Sequence, residues 1–219
     1  YAVVPSLGHI LGYMGPITKE ELQENYEYEY NINDKIGKTG IEAFYESLLR
    51  GIPDTQKTEV NNLGMPVKLL KKANPVPGKN LTLTIDIQLQ QKVGEILLKY
   101  IDKSGSSEKA GVAILQNPQN GEILAMVSMP DYNNNLFSSG ISNADYQKLI
   151  NPNAKNPFLN RAISGSYPPG SVFKPYVAAG ALQDGNITAN TQILDMGYFK
   201  VGENTYSNWL WNSYRQTDG

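Results

Sequence analysis

The sequence predicts an α+β fold in two parts, and three observations carry that prediction. Apolar spacing changes along the chain in the order strand, helix, hairpin, helix, unlike the strict alternation of a parallel sheet. A breaker-rich stretch, Lys71-Lys72-Ala73-Asn74-Pro75-Val76-Pro77-Gly78-Lys79-Asn80, has linker chemistry, because proline fixes the backbone and glycine interrupts it. The 219 residues are 40% hydrophobic, enough for a sizeable core. The division expected from the linker is residues 1–74 and residues 75–219.

The elements follow in order. Thr18-Lys19-Glu20-Glu21 reads as a capping box opening a short helix that runs to about Asn25. The alternation Tyr26-Glu27-Tyr28-Glu29-Tyr30 suggests a strand with a solvated charged face. Ile41, Phe44, Tyr45, Leu48 and Leu49 keep helical spacing, and Gly51 supplies the stop. Short extended pieces are expected between Thr55 and Pro66, turning at Asn61-Asn62-Leu63-Gly64. Leu81 to Ile85 alternates like a strand, and Asp86 can cap a helix to about Ile101 with a stripe of Leu89, Val93, Ile96, Leu97 and Tyr100. Gly111–Gln116 and Glu122–Ser128, joined by Asn117-Pro118-Gln119-Asn120-Gly121, predict an antiparallel hairpin. An Asn-rich segment from Asp131 to Asn160 reads as polar loop with one short helix at Asn143 to Ile150. A last helix carries Val177, Ala178, Ala181 and Leu182 and stops near Gly185.

Composition excludes several chemistries. Net charge is −2 with 18% charged residues and no basic stripe, which argues against nucleic acid as a partner. No apolar run reaches the roughly 20 residues that cross a bilayer. The chain opens Tyr1-Ala2-Val3-Val4-Pro5 with no methionine and no signal-like start, so it reads as an excerpt of a longer protein. The absence of cysteine removes thiol catalysis, disulfides and thiolate metal sites; it fits an extracytoplasmic bacterial protein, although plenty of cytosolic proteins also lack cysteine. The single histidine, His9, leaves a histidine-rich zinc site impossible and a Ser-His-Asp triad strained. His9 is expected to be a satisfied structural residue.

Tyr167-Pro168-Pro169-Gly170-Ser171-Val172-Phe173-Lys174-Pro175 is the stretch with chemical potential. One helical turn brings Ser171 and Lys174 onto one face. A serine hydroxyl needs a base to become a nucleophile, and a desolvated lysine can be that base. Pro-Pro-Gly makes a rigid approach with a permissive last residue. Pro175 donates no backbone hydrogen bond, so the Ser-Lys turn must be the helix's first turn or a 3₁₀ turn feeding it. Ser171 then sits at a positive helix end. Phe173 and the alanines after it are expected to bury the helix and dry the lysine. By itself, a serine at a helix start with a solvated lysine one turn on is the commoner meaning of such a tetrad.

Further motifs, in order, change that balance. Gly8-His9-Ile10-Leu11-Gly12-Tyr13-Met14-Gly15, then Gly37-Lys38-Thr39-Gly40-Ile41-Glu42 with Tyr45-Glu46 and Leu49-Arg50-Gly51, resemble the pedestal of class B penicillin-binding proteins, most closely the penicillin-binding protein 2 group. Leu81 to Gln88, Gly121 to Pro130, Asn160-Arg161-Ala162-Ile163 and Pro168 to Pro175 resemble successive stretches of that family's transpeptidase domain. The resemblance implies a pedestal of the dimerisation type followed by the first part of a transpeptidase domain related to serine β-lactamases. It implies Ser171 as acylated nucleophile and Lys174 as its base, with no metal or organic cofactor. It further implies peptidoglycan stem peptides as substrates, covalent binding of β-lactams, a membrane anchor outside this stretch, and a membrane glycosyltransferase and cell-wall synthesis complex as partners.

The family's two further site motifs, Ser-x-Asn or Ser-x-Asp and a Lys-Thr-Gly or Lys-Ser-Gly strand, do not follow Ser171. Lys38-Thr39-Gly40 precedes it and reads as a loop into the Ile41 helix. The 219 residues alone are therefore expected to be inert. Two other classes stay open: a class D-type serine β-lactamase or penicillin sensor, and a non-catalytic scaffold for a cell-wall glycosyltransferase. A phosphate loop at Gly37-Lys38-Thr39 fails because Ile32 stands where its first glycine belongs. A calcium loop at Asp131-Tyr132-Asn133-Asn134-Asn135 fails because Leu136 occupies the glycine position, leaving a polar surface loop as the expectation. Trp209, Trp211 and Tyr214 could form a carbohydrate platform, but core or packing aromatics are the expectation.

Overall fold

Two units make up the computed structural model, Tyr1–Ser166 and a second beginning at Tyr167, and the structure describes residues 1–28 and 30–208. The first unit opens with α1 (Leu7–Leu11), whose residues Leu7 to Ile10 are buried. Strand β1 (Met14–Pro16) pairs antiparallel with β2 (Lys35–Gly37), Gly15 opposite Ile36. Between them, α2 (Lys19–Glu24) is entered through the expected capping box. Thr18 Oγ1 accepts from the Glu21 N–H, and the Glu21 carboxylate accepts from the Thr18 N–H.

The strand expected at Tyr26 to Tyr30 does not form. Tyr26–Tyr28 is a 3₁₀ turn, its Tyr28 N–H bonded back to Asn25 O. Tyr30 is drawn the other way: its hydroxyl donates to Glu46 at 2.7 Å while the Arg50 guanidinium lies 3.6 Å from its ring centroid. Alternation in sequence loses here to a cation–π and hydrogen-bond pairing with the following helix. That helix is also divided into α3 (Gly40–Phe44) and α4 (Glu46–Leu49), joined at Tyr45 with φ −107°.

Strand β3 (Thr55–Val60) pairs antiparallel with β4 (Pro66–Ala73) around the expected turn, where the Asn61 side chain accepts from the Leu63 and Met65 N–H groups. The stretch read as linker is more structured than its composition suggests. Its start completes β4, Val76 bridges Ile52, and the Lys79 N–H donates to Leu48 O at 2.9 Å. Prolines 75 and 77 have no N–H to leave unpaired, and the N–H groups of Val76 and Lys79 are both bonded.

Leu81 to Ile85 does not become a strand. Thr84 Oγ1 donates to Ile123 O and the Asp86 N–H to Leu124 O, so the stretch touches the sheet at two points and then turns into a helix. Asp86 caps that helix, α5 (Ile87–Lys103), by accepting from the Gln88 and Leu89 N–H groups. Helix α5 packs on an antiparallel hairpin of β5 (Gly111–Gln116) and β6 (Ile123–Met129), as the apolar runs predict. Val93, Ile101, Ala125, Val127 and Met129 form the buried core, with Leu89, Leu97 and Ala113 against it. Ile96 and Tyr100 are not in the stripe, being 45% and 67% exposed. The buried face is rotated toward Gln90, which is fully buried because its side-chain amide donates to Pro5 O and Met126 O and accepts from the Met126 N–H.

The Asn-rich segment is not a surface loop. Tyr132, Asn134 and Phe137 are all buried. Composition misleads because the polar groups serve α1: the Tyr132 hydroxyl donates to Gly8 O, Asn134 Nδ2 to Gly12 O, and Asp131 accepts from the Ser6 N–H. Helix α6 (Asn143–Ile150) lies where expected, capped by Ser142, and α7 (Arg161–Ser164) is capped by Asn160. In the second unit a 3₁₀ turn, Gly170–Phe173, runs into α8 (Lys174–Gln183), followed by an antiparallel hairpin of β7 (Tyr198–Val201) and β8 (Asn204–Ser207). No sequence signal had marked that hairpin. Trp209, Trp211 and Tyr214 lie outside the described residues. Among the described residues no helix is long and apolar enough to cross a membrane.

Candidate active site

Ser171 and Lys174 are placed by a turn whose geometry is written in its neighbours. Gly170 adopts φ +56°, and an added Cβ would meet nothing within 4 Å. Glycine is therefore required there by backbone conformation, not by space. The 3₁₀ turn delivers Ser171 one turn before α8, and Lys174 is the first residue of α8. The Lys174 N–H donates to Ser171 O, closing the turn, and Pro175 follows where a missing N–H costs nothing. This is the 3₁₀-into-helix form that the proline dictates.

Both side chains are exposed, and among the described residues neither the hydroxyl nor the ammonium has a hydrogen-bond partner. The expected burial of the helix is not observed. Phe173, Tyr176 and Val177 are 54%, 73% and 57% exposed. The physical reason lies in the distribution of apolar groups. Past the 3₁₀ turn, Tyr176, Val177, Ala178, Ala179, Ala181 and Leu182 put apolar groups on every side of α8 rather than on one stripe, so no single neighbour could cover them. The described part of this unit supplies only the small β7–β8 hairpin.

The other motifs are absorbed by structure. Lys38 pairs with Glu21 at 2.5 Å and Thr39 stands at the N-cap of α3, so Lys38-Thr39-Gly40 is the loop into a helix that its position suggests. A second triplet of similar type, Lys103-Ser104-Gly105, escapes a reading focused on Lys-Thr-Gly; it closes α5, with Ser104 Oγ donating to Ile101 O. Among the described residues no group of histidine, aspartate and glutamate could hold a metal ion. His9 is only half satisfied: its Nε2 lies 2.7 Å from Pro157 O, but its buried Nδ1 has no partner among the described residues.

The sequence matches the penicillin-binding protein dimerisation domain over residues 1–83 and the penicillin-binding protein transpeptidase domain over residues 111–218. The chain belongs to the penicillin-binding protein family. Within it, peptidoglycan D,D-transpeptidase MrdA of Haemophilus influenzae is 36% identical over 100% of this chain and 33% of its own length. MrdA of Escherichia coli K12 is 38% identical over 95% of this chain and 32% of its own length. The chain thus spans about a third of the length of the curated relatives it matches. Among solved structures, PBP2 of Helicobacter pylori in complex with MreC superposes with a TM-score of 0.76 at 34% identity, covering 94% of this chain and 36% of that one. Pseudomonas aeruginosa PBP2 in complex with WCK 5153 gives a TM-score of 0.73 at 35% identity, covering 95% and 41%. The α+β order of a dimerisation-type portion followed by a transpeptidase-type portion is the family's, as the sequence motifs imply.

Proposed function

We propose that this chain is part of a peptidoglycan D,D-transpeptidase in which Ser171 is the acylated nucleophile and Lys174 the base that activates it. The observation that carries the reading is the Gly170–Phe173 turn, which presents Ser171 at the N-terminal end of α8 with Lys174 one turn on. In the reaction, Lys174 in its neutral form takes the Ser171 proton as Oγ attacks the penultimate D-Ala carbonyl of a stem peptide. The tetrahedral oxyanion collapses, the C–N bond breaks, and terminal D-Ala leaves with a proton. An amine of a neighbouring stem then attacks the acyl-enzyme, forming the cross-link and returning Ser171 as hydroxyl. A β-lactam would acylate the same oxygen by ring opening, the amide nitrogen taking the proton.

A lysine base must be desolvated to lose its charge. The apolar residues all round α8 are the pattern of an enclosed helix, which supports placing this turn inside a larger transpeptidase domain. An extracytoplasmic location with a membrane anchor outside this stretch suits that substrate. Partners of the cell-wall synthesis machinery, including a membrane glycosyltransferase, are supported by two structural neighbours: PBP2 in complex with MreC, and a peptidoglycan synthase complex that coordinates polymerization and crosslinking.

Labelling the full-length parent protein with a fluorescent penicillin tests the assignment. Ser171→Ala should abolish the covalent label, and Lys174→Ala should slow its formation by about 100-fold or more, the usual worth of a general base. The 219-residue chain alone, with no further site motif after Ser171, should stay unlabelled. Labelling of the Ser171→Ala protein at an unchanged rate would overturn the assignment.

A further inference from the structure

His9 sits on α1 and Pro157 lies 148 residues later in the chain, both within the first unit. The first belongs to the segment matching the dimerisation domain and the second to the segment matching the transpeptidase domain. Several bonds join α1 to the later segment. Gly8 O, which already accepts the Gly12 N–H, also accepts from the Tyr132 hydroxyl, and Gly12 O, just past the end of α1, accepts from Asn134. Asn160 Nδ2 lies 3.4 Å from His9 O, and the Arg161 guanidinium reaches the carbonyls of Lys155, Asn156 and Leu159. Lys155 and Asn156 both have positive φ, 57° and 54°, so the loop before Pro157 is held in a conformation it would not adopt unaided.

Of these ties, the one through His9 rests on the side chain whose ordinary titration falls between pH 5 and 8. A carbonyl only accepts, so the bond to Pro157 O requires a proton on Nε2. In the neutral ring Nδ1 then carries a lone pair. Nδ1 is buried and has no donor or acceptor among the described residues. The ring is 9% exposed and packs edge-on against Tyr132, centroids 5.3 Å apart. A second proton would place an unpaired N–H and a full charge in that setting. The charged groups facing it are Asp131, which favours the cation, and Arg161, which opposes it. Asp131 Oδ2 accepts from the Ser6 N–H at 2.7 Å.

We propose that His9 is a proton-sensitive latch between the dimerisation-type and transpeptidase-type segments, closed on Pro157 when the imidazole is neutral and released when it is protonated. Burial, the largest influence, holds the His9 pKa below its ordinary value of 6.5, with the Pro157 carbonyl and Asp131 pulling the other way. The sign follows from linkage. The opened state titrates near 6.5 and takes the proton first, so latch stability is complete above that pH. It falls as pH drops below 6.5, and goes on falling until the closed form is itself protonated. The latch makes no use of the chemistry proposed for Ser171, so the two readings fail separately.

Amide hydrogen exchange on the whole chain between pH 7.5 and 5.0, corrected for intrinsic rates, is the test. Protection of residues 7–12 and 155–162 should fall together below pH 6.5, by up to about tenfold per pH unit, while α5 keeps its protection. His9→Gln retains an N–H donor for Pro157 O and cannot titrate, so both segments should lose that pH dependence. His9→Phe removes the donor, and both segments should exchange fast at every pH. Should the Phe variant fail to fold, the Gln variant carries the test. Unchanged pH dependence in His9→Gln, or wild-type protection flat across the range, would overturn the latch.

Discussion

Ser128 in the first unit and Ser171 in the second have the same side chain and opposite situations. Ser128 is 1% exposed; its hydroxyl donates to Leu159 O and accepts from the Arg161 N–H, and its own N–H and C=O are both held by Ser6 Oγ. Ser171 is exposed, and its hydroxyl has no partner among the described residues. A hydroxyl with both of its roles taken cannot hand a proton to a base, whereas an uncommitted one can. The same contrast runs through the units. The first is cross-linked by side chains reaching over a hundred residues, and the second is shaped by proline, glycine and one turn.

Four substitutions probe that contrast, read as shifts in urea unfolding. The largest effect belongs to Gly12→Ala. Gly12 has φ +78°, and a Cβ would sit 1.8 Å from Thr39 O, so backbone must move and a loss of about 3 kcal/mol or more is expected. Gln90→Leu comes next. It keeps the volume but strands Pro5 O and both polar groups of Met126, and should cost about 2–3 kcal/mol. Asp86→Ala removes a cap that accepts two N–H bonds and should cost about 1 kcal/mol. The smallest effect is Val172→Thr, 71% exposed in the 3₁₀ turn, expected within about 0.5 kcal/mol. A loss above 1 kcal/mol there would show the turn to be packed and would erase the contrast.

What the sequence made legible was local. The Thr18 capping box, the Asp86 cap, the β5–β6 hairpin and the α6 helix rest on residues within a few positions of each other, and each stands where expected. The Ser171 turn was legible for the same reason, since Pro169, Gly170 and Pro175 leave the backbone few choices. What failed depends on distant partners. Gln90 looks like a solvent residue until Met126 and Pro5 are beside it. Asn134 and Tyr132 look like loop until the Gly12 and Gly8 carbonyls are beside them. Alternation at Tyr26 to Tyr30 carried no hint that Glu46 and Arg50 would claim Tyr30. The drying of Lys174 was inferred from apolar composition, which says that a helix needs cover but not what provides it.

Strand β6 has a consequence for how the sheet can grow. Its side away from β5 presents Leu124, Met126 and Ser128, and each is already answered: Leu124 O by the Asp86 N–H, Met126 by both ends of the Gln90 amide, Ser128 by Ser6 Oγ. Gln90 and Ser6 imitate, with side chains, the pairing another strand would offer. That margin of the sheet is closed to further strands without any strand lying there. Val112 and Ile114 on β5 have no such substitutes among the described residues. Any strand that joins this sheet must therefore enter beside β5.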